Sequence, residues 1–88
     1  MTPIQRARHE NLHAIIRKLE QAGLTQRSSQ AGALGPSIRP ERLEAMLAGA
    51  HVSQFAALTI EHYLRRPKHW MDTLHDDIGD VEPEPTPP

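Results

Sequence analysis

Cysteine is absent from all 88 residues, which removes disulfide staples and thiolate metal sites together. Aromatics are nearly as scarce, since Phe55, Tyr63 and Trp70 are the only ones. So short a chain with so few large apolar side chains builds one small domain with a thin core. Its stability is expected to be marginal unless a partner chain adds buried surface. No apolar run approaches the roughly 20 residues that span a bilayer, and the opening MTPIQRARHE lacks the apolar stretch of a signal peptide. A cytoplasmic protein with no membrane partner is therefore expected. The five glycines are scattered, forming neither G-x-G-x-x-G nor a phosphate loop, and Ser28-Ser29 has no base at a meaningful spacing.

One catalytic spelling does occur. His9-Glu10-Asn11-Leu12-His13 reads H-E-x-x-H, which on a helix sets two imidazoles on one face beside a glutamate. Catalytic zinc also needs a third protein ligand and a cleft around an open coordination position. A chain of this length has little material for such a cleft, and six histidines make chance pairs common. Neither an enzyme nor a cofactor is expected.

What the chain does have is segregated charge. The formal net charge is −1, yet six of the eleven acids (Asp72, Asp76, Asp77, Asp80, Glu82, Glu84) lie beyond the last basic residue, Lys68. Residues 1–71 set ten basic side chains against the remaining five acids, a body of net +5. A basic body with an acidic tail suits a partner of negative charge, nucleic acid being the commonest.

Hydrophobic spacing predicts mostly helix. Ile4 to Gly23 reads as one amphipathic helix with Leu12, Ile15, Ile16 and Leu19 as its stripe. Arg8 or Ala7 and Ala22 extend that stripe, while Glu10, Asn11, Arg17, Lys18 and Gln21 face water. Thr2-Pro3 supplies a cap and a first-turn proline, and Gly23 a C-terminal stop. Leu24 to Leu34 predicts a short helix capped by Thr25, weakened by Gly32. Pro40 to Ala48 predicts a firmer one, with Leu43, Met46 and Leu47 inward and Gly49 ending it.

A fourth helix, opened by Ser53 or His51, is expected to bury Val52, Phe55, Ala56, Leu58 or Thr59, Ile60, Tyr63 and Leu64, and to end at Pro67. Trp70 is expected to fold back and close the core. Thr73 to Ile78 is expected to add a helical turn with Leu74 and Ile78 as its apolar residues. The tail, GDVEPEPTPP from Gly79, is expected to stay disordered, since prolines and like charges cannot build a core. These boundaries divide the chain into a helical domain, 1–78, and a disordered acidic, proline-rich tail, 79–88.

The chain resembles the lambda-repressor-like helix-turn-helix class. The likeness rests on Ala57, Ile60-Glu61, Leu64, Pro67 and Trp70-Met71-Asp72 in the closing segment, and on Arg8, Asn11 and Leu12 in the opening one. Leu34-Gly35-Pro36-Ser37 and the run from Pro40 to Gly49 continue it, interrupted by two extra residues, Ile38-Arg39. A further extra residue is needed around Ser28-Ser29.

That resemblance implies an all-α bundle of about five helices in which Pro40 to Ala48 is the recognition helix. It implies sequence-specific binding of double-stranded DNA by a homodimeric repressor-like regulator of bacterial or phage origin. Bases would meet Gln26, Arg42 and Glu41, with Ala45 offering only a methyl group. Arg6, Arg8, Arg27, Arg39 and Lys18 would meet phosphates, and Ser37 in the turn would join the contacting set. The alternative is a protein-interaction module on the same scaffold, an antirepressor, adaptor or antitoxin-like partner, favoured by Glu41, Glu44 and Ala45.

Overall fold

The computed structural model describes residues 1–79 and 81. Among these it contains four α-helices and no strand: α1 (Pro3–Gln21), α2 (Arg27–Leu34), α3 (Pro40–Leu47) and α4 (Gln54–Tyr63), followed by a 3-10 turn at Trp70–Asp72. The expectation of about five helices is thus corrected at its last member. Residues 73–79 are not helical, and Ile78 packs into the chain's own core while Leu74 stays exposed. No helix among the described residues is long and apolar enough to cross a membrane.

Local chemistry sets the helix ends. Thr2 accepts the Gln5 N–H at 3.1 Å with Pro3 in the first turn, and Ser53 accepts the Ala56 N–H at 3.1 Å. Thr25 does not cap α2; Gln26 takes that position without a side-chain bond. Pro67 does not itself end α4. The chain turns earlier, at Arg65 (φ 57°), where the Arg66 N–H reaches the Glu61 carbonyl at 2.8 Å and the Arg65 N–H reaches His62 at 3.1 Å. These two bonds are a Schellman close made without glycine.

α1 packs on α3 and on the 3-10 turn, α2 on α3 and α4, and α4 on the 3-10 turn. Leu12, Ile15, Ile16 and Leu19 meet Leu34, Leu43, Met46, Val52, Ile60 and Met71 in one core. Several placements differ from expectation, Tyr63 among them, which is exposed where burial was expected. Phe55 points outward, because Ala56, Ala57 and Ile60 already occupy the inner face of α4. Met71, not Trp70, plugs the core: Met71 is fully buried, whereas Trp70 lies half-buried at its edge, stacked on His75 at 4.3 Å with Arg66 5.3 Å away. Val81, in the segment expected to be disordered, is buried against the core; positions 80 and 82–88 of that segment lie outside the described residues.

Candidate nucleic-acid interface

The outer parts of the fold are held by the polar face of α1. Gln5 clamps Val52 at both ends of its amide, donating to the Val52 carbonyl at 2.8 Å and accepting from its N–H at 2.9 Å. Arg8 donates to the same carbonyl at 2.9 Å and, through Nε, to Asp72 Oδ1 at 2.7 Å. Asn11 donates to the carbonyls of Met71 and Thr73 at 3.0 and 2.8 Å. The Arg8 hydrogen bond and charge, with His69 beyond them, hold the Asp72 carboxyl below its ordinary value against the opposing effect of burial. From the other side the buried Glu61 carboxylate accepts the Met71 N–H at 2.7 Å and the His69 N–H at 3.2 Å. The link after α3 and the Trp70–Asp72 turn are thereby fixed on one support.

α3 packs on α1, and α2 on α3 and α4; these two eight-residue helices are joined through residues 35–39. The two inserted residues have different fates. Ile38 is 5% exposed and enters the core, its N–H turned back on the Gly35 carbonyl at 3.1 Å, while Arg39 stands in solvent as the first residue before α3. The insertion therefore adds a core anchor to the connection.

The expected contact residues separate into three groups. Gln26, Ser37, Arg39, Glu41 and Arg42 are exposed at the starts of α2 and α3 or in the turn between them. Arg42 makes one long bond, 3.3 Å to the His51 carbonyl, and among the described residues neither Arg39 nor Arg42 is ion-paired. Arg27 is drawn across to α3. Its Nη1 donates to Gln30 Oε1 at 2.7 Å, and its Nε lies 3.1 Å from Glu44 Oε1. That second contact is coulombic, since the N–H is not aligned into a hydrogen bond. Gln30, fully buried, orients Arg27 while donating to the Leu24 carbonyl at 2.9 Å.

The α1 arginines complete the set. Arg6 stands on the outer face of α1 beside Glu10 at 3.5 Å. Arg8 is 7% exposed and committed to Asp72 and Val52; in this conformation it supports the fold and offers no cation to phosphate. Asn11, expected in water, is likewise buried.

The H-E-x-x-H histidines are not brought together on a ligand. His13 is exposed, while both ring nitrogens of His9 face carbonyls, Gln5 and Ala50, at 2.7 Å each. Among the described residues no group of three His, Asp or Glu side chains is placed to hold a metal ion. A groove of about 520 Å³ runs between α1 and residues 74–78, with Arg17 and Lys18 on one wall and Asp76 and Asp77 on the other.

Sequence reasoning missed Gln5 and Gln30 altogether, and marked His9 only as a metal-ligand candidate, not as the buried bridge between the Gln5 and Ala50 carbonyls. Nothing in the sequence marks the two glutamines, because each looks like an ordinary polar residue on a helix. Comparison with protein-family models, with curated proteins and with solved structures finds no match.

Proposed function

We propose that the chain is a sequence-specific DNA-binding regulator of transcription, repressor-like, of bacterial or phage origin, acting as a homodimer in the cytoplasm. The observation that carries this reading is the packed pair α2–α3 with its exposed first turns. Gln26, Ser37, Arg39 and Arg42 stand exposed at the starts of these short helices or in the turn between them, with α1 behind α3 and α4 behind α2, a geometry suited to entering a major groove. Arg42 and Gln26 read base edges; Arg39 and Arg6 meet phosphate. The net charge of +5 on residues 1–71 adds the sequence-independent attraction.

A second reading is favoured by one contact. Glu44 neutralises Arg27 at 3.1 Å, and Glu41 is exposed on the same helix, so α3 also suits a protein partner. Fluorescence anisotropy on selected and scrambled duplexes across a salt series separates the two. Arg42→Ala is expected to cost roughly 1–3 kcal/mol on the preferred sequence, whereas Arg39→Ala weakens all sequences alike. Binding no tighter than millimolar at low salt would remove the DNA reading and leave the interaction module.

A further inference from the structure

The outward stripe of α4 is aromatic at both ends and small in the middle. Phe55 is 68% exposed and Tyr63 36%. Thr59, half-buried, lies one turn from each, so the three residues follow the i, i+4, i+8 line of a helix face. The end of α2 abuts the same stripe: a Cβ on Gly35 would stand 2.7 Å from Thr59 Cγ2 and 3.0 Å from the Tyr63 ring. Exposed Ser28, Ser29, Gly32 and Pro36 lie on and just after α2.

No formal charge falls anywhere in residues 28–38 or 45–60, although 24% of the chain is charged. Within α4 the one charged residue, Glu61, is buried, and the next ones, Arg65 and Arg66, follow the helix beyond Tyr63. Phe55 and Tyr63 thus expose two rings on a helix whose outward residues from Gln54 to Tyr63 carry no formal charge. Such a patch is the signature of an interface with another apolar surface.

We propose that this face docks a second copy of the chain through an antiparallel, two-fold contact of α4 on α4. The large-small-large order is palindromic about Thr59. A two-fold axis at Thr59 sets Phe55 of one copy beside the Tyr63 end of the other and lets the backbones approach where the side chain is small. An isologous contact also sets like residues near like about the axis, and the outward residues of α4 around Thr59 carry no formal charge to repel their own image. A standard interface takes about 800 Å² per partner, about one seventh of the chain's 5595 Å². Two short helices offer less than that, so the dimer is weak and concentration-dependent. The contact gives a surface to the homodimer of the proposed function, yet it is measured without DNA, so its failure leaves DNA binding to be judged separately.

Sedimentation equilibrium of the full chain tests it from micromolar to millimolar concentration. The expected mass climbs from 9.9 kDa towards twice that value. Phe55→Glu and His62→Glu each place a carboxylate on the stripe facing its own copy, and each is expected to weaken association about tenfold or more. Both residues are exposed, so helix content by circular dichroism is expected to hold, and either variant alone suffices. A chain monomeric throughout the range would overturn the proposal. So would a dimer indifferent to both substitutions, which would place the contact on another face.

Discussion

Asp72 receives the Nε of Arg8 at 2.7 Å and faces His69 Nδ1 at 3.6 Å, so one carboxylate ties the last turn of the fold to the middle of α1. Removing it leaves Arg8, whose side chain is only 9% exposed, with the Val52 carbonyl alone. Breaking one side of a buried pair costs roughly 3–5 kcal/mol, and Asp72's own 19% exposure puts Asp72→Asn near the low end, about 3 kcal/mol at neutral pH. The folded carboxyl titrates below the unfolded one. Its contribution is therefore complete above the ordinary value of 3.8 and is lost as pH falls through the lower folded value. Urea unfolding of parent and variant over a pH series is expected to show a gap that is constant near neutrality and narrows in acid. Equal stabilities at pH 7 would mean that the pair contributes nothing net.

Gly32 within α2 and Gly35 at its C-terminal cap differ in kind. Gly35 sits at φ 135°, ψ 151°, a region open essentially to glycine alone, with Thr59 and Tyr63 pressed against its missing side chain. Gly35→Ala is expected to cost about 2–4 kcal/mol from backbone strain and overpacking together. Gly32 lies within the helix with nothing near its Cβ position, so Gly32→Ala is expected to stabilise by about 0.5–1 kcal/mol. Thermal melting gives both signs, and a Gly35→Ala variant melting with the parent would deny the close approach of α2 to α4. These elements were unequally legible in the sequence. Apolar periodicity marks α1, because Leu12, Ile15, Ile16 and Leu19 recur on one face, and Pro40 and Gly49 bracket α3. The fate of Arg8 and Asn11 was hidden, since their partners lie 44 to 64 residues away and polar residues announce no direction. Ile38 and Val81 were hidden for another reason: each is a single apolar residue in a stretch without period, and only the assembled core shows the gap it fills. In the candidate interface the exposure of Arg39 and Arg42 agrees with the reading from sequence, while Arg27's attachment to Glu44 is a tertiary fact that no spacing encodes.

For the whole molecule, charge is arranged so that a basic body carries its own acidic counterweight. Asp76 and Asp77 are exposed and line one wall of the α1 groove, with Arg17 and Lys18 on the other. No ion pair joins the two walls among the described residues, so the carboxylates act through their field. A duplex approaching this side meets cations whose potential is reduced by neighbours well inside the Debye length, about 10 Å at 0.1 M salt. Asp76→Asn with Asp77→Asn shifts the net charge from −1 to +1 without removing a buried group. Duplex affinity is then expected to rise several-fold at low salt, roughly equally for selected and scrambled sequences, because the added attraction carries no base information. Raising the salt should erase the gain, since screening acts on field effects before it acts on close contacts. A gain that survived high salt would mean that the asparagines touch DNA directly. With no gain at any salt, DNA would lie on a face remote from α1, and α2 and α3 would have to bind it without help from Arg17 and Lys18.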